Sequence, residues 1–167
     1  MDRSDIPAGY HPQQPASLRT YLGGIDCIRS RLGGRPDDWR VEEVGDGNLN
    51  LVFKVWGPDG GVAVKQALPY LRLVGEGWPL PLNRSHFEQL ALQEYARTAP
   101  GRVPEILHID KTMALTVMEL LEPHIIMRRG MIEGRVYPQF VDHISSFAAR
   151  SHVFTSDLHL TADRKRA

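Results

Sequence analysis

Hydrophobic positions along the chain change period several times, and each change marks an element. Leu18, Tyr21, Leu22, Ile25, Ile28 and Leu32 recur at helical spacing, which predicts a helix closed by "GGRPDD". Gly23 and Gly24 weaken it, because a glycine inside a helix costs about 1 kcal/mol against alanine. Three short runs follow: "WRVEEV" (39–44), "LVFKVW" (51–56) and "VAVKQA" (62–67). The second is rich in β-branched and aromatic residues, and Asp-Gly and Gly-Gly between the runs are hairpin signals. Residues 39–67 therefore read as an antiparallel three-stranded meander. The stretch 68–82, "LPYLRLVGEGWPLPL", holds three prolines and two glycines among large apolar residues. It is too irregular for a strand or helix and too apolar for a solvated loop, so a packed insertion is expected. A helix over about 83–97 places Phe87, Leu90, Ala91 and Tyr95 on one face, expected to be the buried one. "EILHID" (105–110) and "ALTVMEL" (114–120) read as a second hairpin. Beyond "EPH", Phe140, Val141, Ile144, Phe147 and Ala148 return to helical spacing within 137–154.

This order predicts an α+β chain: a five-stranded antiparallel sheet with one packed helix in residues 16–120, then a connector and one further helix in 121–167. Residues 1–15 are polar and proline-bearing and read as a flexible tail. The last helix has little sequence to pack against, so 137–154 is expected to present unpartnered apolar surface. A hydrophobic content of 42% and a charged content of 24% suit a soluble globular protein. Twenty basic and twenty acidic residues cancel, which argues against nonspecific nucleic-acid or anionic-membrane binding. No apolar run approaches the ~20 residues that span a bilayer, and the N-terminus has no apolar signal core. Cys27 cannot form an internal disulfide; its apolar-periodic setting predicts a buried, inert thiol, and the cytoplasm is the expected compartment.

Candidate chemistry begins at "GDGNLN", residues 45–50. Gly45 and Gly47 permit left-handed φ angles and close approach to the backbone, and successive N–H groups in such a turn can form an anion nest. The Asn50 amide could reach a phosphate or a metal-bound water. Alone, this is more simply a plain Asp-Gly hairpin. Lys65 changes the picture: in the meander its strand lies beside the one that follows the loop, so its ammonium could sit below the loop, where phosphate oxygens would lie. Protein kinases pair such a lysine with a helix glutamate. Glu88 and Glu94 are the candidates, with Glu88 favoured by its place early in the helix. "VMELLEP" would then be the connector whose backbone holds adenine while Val117 and Met118 line the slot; alone, it is a buried strand end.

The run "EVGDGNLNLVFKVW", followed by "VKQALPYLRLVGEGWPLPLNR", resembles the N-terminal lobe of the S-methyl-5-thioribose kinase family, small-molecule kinases with an aminoglycoside-phosphotransferase-like version of the protein-kinase fold. The resemblance continues through "LTVMEL", "GMIEG", "YP" and "TSDL", over about residues 40–158. It implies a protein-kinase-like N-lobe followed by the start of a C-lobe. It implies nucleotide contacts from Gly45, Gly47, Asn50 and Lys65, hinge contacts from Met118, Glu119, Leu120 and Leu121, and Glu88 as the partner of Lys65. Two positions depart from the family: Gly77 stands where Ser is usual in "GEGWP", and Leu120 where Asp is usual in "MELL". The implied activity is ATP-dependent phosphorylation of the 1-hydroxyl of 5-methylthioribose in methionine salvage, with Mg²⁺ and, in the full-length family, a homodimer. The family's "HGDLHxGS"-like catalytic loop and its later acidic motif are not found. "HID" (108–110) and "SDLHL" (156–160) imitate the first but lack its flanking residues. No catalytic or metal residue is therefore assigned, and the Mg²⁺ ligands are expected outside this sequence, which reads as roughly the first two-fifths of such an enzyme. A noncatalytic nucleotide-binding remnant, or a related kinase for another alcohol, are the alternatives.

Overall fold

The alternation in "LVFKVW" and "VAVKQA" becomes the two faces of one sheet. The computed structural model describes residues 6–45 and 47–166. Its strands are β1 (Arg40–Glu43), β2 (Asn50–Trp56), β3 (Gly61–Ala67), β4 (Tyr70–Leu71), β5 (Gly75–Pro79), β6 (Ile106–Asp110) and β7 (Leu115–Glu119). The helices are α1 (Pro15–Gly23), α2 (Asp26–Leu32), α3 (Arg84–Thr98), α4 (Met127–Ile132), α5 (Phe140–Thr155) and α6 (Ala162–Arg166). Five strands form an antiparallel sheet in the order β1-β2-β3-β7-β6, so the chain is α+β, with the meander and the second hairpin as expected.

Two compact units are present, Met1–Ala91 with Pro104–Leu120, and Leu92–Val103 with Leu121–Ala167. In the first, Phe53 and Val55 of β2, Val62 and Val64 of β3, and Leu115 and Val117 of β7 point to one side and are fully buried. Leu18 and Leu22 of α1, Ile28 and Leu32 of α2, and Trp39 cover them. Each such aliphatic burial contributes about 1.5–3 kcal/mol. The continuous helix expected over 18–32 is two helices. The break at Gly24 and Ile25 turns α2, so that its end meets the β2–β3 turn. There, a Cβ on Gly57 would lie 2.1 Å from the Leu32 carbonyl oxygen, so only glycine fits.

The sheet is covered by more than the one helix expected. α1 and α2 make the core, while α3 meets the opposite face through a polar contact: the Gln89 side-chain amide donates to Thr116 Oγ1 at 2.9 Å, both residues buried. Phe87 and Leu90, expected inside, are 64% and 44% exposed. Helical spacing located the helix, but Gln89, bonded to the polar Thr116 on β7, takes the inward position beside Phe87 and Leu90, while Ala91 and Tyr95 are half-buried.

Three other expectations are corrected. Residues 68–82 are no packed insertion: β4 and β5 form a separate hairpin, with Leu73 and Trp78 77% and 58% exposed. Main-chain pairing is satisfied there without burial, because Gly75 takes φ +71 at the turn and the Leu80 amide donates to the Pro69 carbonyl at 2.9 Å. Part of the expected tail is bonded to the sheet. The Tyr10 hydroxyl donates to the Ala67 carbonyl at 2.7 Å, and the Gln13 amide donates to Gln66 Oε1 at 2.8 Å. The Gln66 side-chain amide in turn donates to the carbonyls of His11 (2.9 Å) and Met113 (3.0 Å). Residues 1–5 of that tail lie outside the described residues. Cys27 is exposed rather than buried, because its neighbour Ile28 takes the inward position on α2.

In the second unit the Tyr95 ring meets Phe147 of α5 edge-on at 5.2 Å, and Arg150 Nε donates to the Thr98 carbonyl at 2.8 Å. Val141 on α5 is 69% exposed, which agrees with the apolar surface expected over 137–154. Among the described residues no helix is long and apolar enough to cross a membrane.

Candidate functional site

Antiparallel register sets Val52 of β2 opposite Lys65 of β3, and Lys65 opposite Thr116 of β7. Directly paired residues share a face, so this row lies on the side away from the α1–α2 core. The next row along is Lys54, Ala63 and Met118. On this face Lys65 Nζ donates to Glu88 Oε1 of α3 and forms an ion pair with it. The side chains are 30% and 43% exposed, so the pair adds at most about 1 kcal/mol to stability. What it supplies is placement: a long, mobile ammonium is held at one point above a half-covered sheet. Gln89, bonded to Thr116, fixes the helix turn that carries Glu88. Glu94 is not the partner; it pairs with Arg97, whose hydrogen bond holds its carboxyl below the ordinary range.

The loop between β1 and β2 follows a last ladder bond from the Val44 amide to the Val52 carbonyl at 2.8 Å. Gly45 and Gly47 were expected to permit left-handed φ and close approach of the backbone, and close approach is what Gly47 shows. Their roles differ. A Cβ on Gly47 would lie 2.7 Å from the Asn50 carbonyl oxygen, whereas one on Gly45 would meet nothing within 4 Å. Gly47 therefore permits a tight return of the chain, and Gly45 borders open space. Asp46 lies outside the described residues.

Asn50 opens β2, and its side-chain Oδ1 accepts a hydrogen bond from Arg84 Nη2 at 3.2 Å. Arg84 starts α3 and also donates to the carbonyls of Leu49, Leu68 (2.9 Å) and Pro81 (3.0 Å). Burial pushes its guanidinium below the ordinary arginine value. Arg72 ties the hairpin to the same loop: it pairs with Glu43 at 2.7 Å, and its amide donates to the Asn48 carbonyl at 2.9 Å. Neither arginine was singled out from the sequence. The available signals were a lone cation in the apolar stretch "LPYLRLV", and an arginine one helical turn before Glu88.

The connector residues divide. Met118 lies on the open face opposite Ala63. Glu119 pairs with Val62, whose side chain points into the core, and its amide already donates to the Glu105 carbonyl at 2.8 Å. Leu120 packs its Cδ2 against Gly61, and Leu121 falls in the second unit. The site thus brings Asn50, Lys65, Glu88 and Met118 to one face, with Gly47 shaping the loop beside it. "HID" is structural: Asp110 accepts from the Met113 amide at 2.9 Å and the Tyr21 hydroxyl at 2.8 Å, and with burial this pushes the Tyr21 phenol up. Asp157 of "SDLHL" pairs with Lys165. Among the described residues no group of three His, Cys, Asp or Glu could hold a metal.

A cation held by a carboxylate on the open face of a five-stranded sheet, beside a glycine loop, is a setting in which sequence relatives can be read. Rice methylthioribose kinase 2 is 43% identical over 160 residues, covering 95% of this chain and 38% of that protein. The methylthioribose kinase of Escherichia coli O45:K1 is 43% identical over 163 residues, covering 97% of this chain and 39% of the relative. That of Exiguobacterium sibiricum is 49% identical over 140 residues, 83% of this chain and 36% of the relative. The chain matches methylthioribose kinases. It spans about two-fifths of the length of these relatives. No family model matches it.

Proposed function

We propose that the first unit is the nucleotide-binding lobe of a kinase-like phosphotransferase, and that the activity it serves is transfer of the γ-phosphoryl of ATP to the 1-hydroxyl of 5-methylthioribose. The observation that carries this is the Lys65–Glu88 ion pair on the sheet's open face. A strand lysine clamped by a helix glutamate, next to a glycine loop, is the arrangement kinases use to hold phosphates. In this reading Lys65 neutralises phosphate oxygens as a point charge. The loop shaped by Gly45 and Gly47 covers them, and the Asn50 side chain donates to them. Val52, Ala63 and Met118 offer the adenine ring a small apolar floor. Within this unit the backbone of Leu120 is the better adenine contact, since the Glu119 amide already donates to Glu105. The names of the sequence relatives support the acceptor, a thioribose. The domain reading, residues 16–120 as the lobe and 121–167 as the connector and the beginning of a second lobe in the cytoplasm, keeps its boundary at Leu120 but not over 92–103, which group with the second unit. Mg²⁺, when bound, would supply charge neutralisation at the phosphates. Its carboxylate ligands are expected outside this sequence, and no step here is assigned to it.

Isothermal titration calorimetry of the 167-residue chain with ATP is the test. The chain is expected to bind ATP, and Lys65→Ala and Glu88→Gln to weaken it about tenfold or more, the worth of one charged hydrogen bond. Undiminished binding by Lys65→Ala would overturn the reading. In a coupled assay of ADP release with methylthioribose, residues 1–167 alone are expected to show no turnover.

A further inference from the structure

Arg84 has four terminal N–H groups, and each is donated: two from Nη1 to the carbonyls of Leu68 and Pro81, two from Nη2 to the Leu49 carbonyl and Asn50 Oδ1. These acceptors lie in four places: at the end of the glycine loop, at the first residue of β2, just past β3, and just before α3. A guanidinium with its fork spent in this way has little left for a ligand. It can instead fix what surrounds it.

Arginine carries donors and no acceptor. The end of the Asn50 amide that faces it must therefore be the oxygen, and the NH₂ end is turned the other way. Asn50 stands on the same face as Lys65, since Asn50 and Val52 both lie at even steps along β2 and Val52 pairs with Lys65. Arg84 also lies one helical turn before Glu88, close enough for the Glu88 carboxylate to favour its charged form. One guanidinium thus touches the loop, the Asn50 side chain and the helix that holds Lys65 in place.

We infer that Arg84 is a positioning residue for the phosphate end of the nucleotide site: it locks the Asn50 side chain with its NH₂ outward as a donor to anions and ties the glycine loop to the helix that carries Glu88. This rests on the nucleotide reading above. An anion-facing amide has to present hydrogens, and an unlocked asparagine would present its oxygen part of the time. The effect belongs to the phosphates and not to the base, because Asn50 lies at the loop and not at the connector.

Calorimetry of the 167-residue chain with ATP and, separately, adenosine tests this, with Lys65→Ala as the reference for the site itself. Arg84→Met and Asn50→Asp are each expected to weaken ATP about tenfold and leave adenosine within about twofold. Asn50→Asp keeps an oxygen for Arg84 but turns a carboxylate oxygen toward the phosphates. The double variant is expected to lose no more than the worse single one, because both act through one side chain. ATP binding unchanged in both single variants would overturn the inference, as would equal losses for ATP and adenosine, the mark of a merely structural arginine. Should Arg84→Met fail to fold, Asn50→Asp and Arg84→Lys decide, the lysine having too few donors at one point to serve four acceptors. If Lys65→Ala binds ATP normally, the nucleotide reading itself fails. If Lys65→Ala weakens ATP while Arg84→Met and Asn50→Asp do not, only the role of Arg84 falls.

Discussion

Replacing Gln66 with leucine is expected to unfasten the segment before α1 from the sheet. Gln66 is fully buried on β3 between Lys65 and Ala67. Its side chain makes three hydrogen bonds, accepting from the Gln13 amide and donating to the carbonyls of His11 and Met113. Leucine has a similar volume but can make none of them. Three bonds at about 0.5–1.5 kcal/mol each set a scale near 3 kcal/mol. The His11 and Gln13 groups can escape outward to water if their segment detaches. The Met113 carbonyl, in a buried turn, cannot, and an unpaired buried carbonyl costs about 1–3 kcal/mol by itself. The better apolar burial of leucine offsets part of this, so about 3 kcal/mol is the expected net loss. Equilibrium urea unfolding, followed by the fluorescence of the buried Trp39, measures it. Limited proteolysis should show faster cleavage before Pro15 in the variant. If Gln66→Leu unfolds within about 0.5 kcal/mol of the parent, the range of a neutral surface change, this polar network does not hold the segment.

Burial, reinforced by the neighbouring Tyr70, raises the Tyr10 phenol from 10.0 to about 12. The unfolded chain then loses this proton first, so the group's contribution is whole below pH 10 and is lost as pH rises toward 12. Tyr10→Phe is expected to flatten the fall of Tm across that window, and an equally steep fall would refute it. Leu22→Ala should cost about 2–5 kcal/mol in urea unfolding, whereas Phe87→Ser should stay within about 0.5 kcal/mol. Equal losses would contradict the assignment of the core to the α1–α2 side.

Elements whose period was set by burial were legible. β2, β3 and β7 alternate because one face is packed by α1 and α2, and the spacing of Leu18, Leu22, Ile28 and Leu32 records the other half of that core. The pairing of Lys65 with Glu88 could be anticipated because protein kinases pair such a strand lysine with a helix glutamate, and Glu88 stands early in the next helix. What escaped were features governed by individual hydrogen bonds. Nothing in the pattern around Phe87 announces that Gln89 faces inward, because only Thr116, far along the chain, makes that favourable. The hairpin of β4 and β5 satisfies its backbone while leaving its large side chains outside, so hydrophobicity misled there. Of the two freedoms expected of the loop glycines, close approach is the one used at Gly47, while Gly45 borders open space.

The two sides of the sheet differ in how they are held, and solvent exchange should sense the difference. α1 and α2 are fused to the strands by a continuous apolar core, so their amides open only with much of that unit. The Glu88 turn of α3 is held instead by polar contacts, the buried Gln89–Thr116 bond, the part-exposed Lys65–Glu88 pair and the Arg84 bonds one turn earlier. Such a segment lies at the low end of the opening free energies within one protein. The helix that orients the lysine is therefore the element best able to register whether an anion has arrived. Deuterium uptake should be fast along 84–91 in the free chain and slow there when Lys65 is engaged.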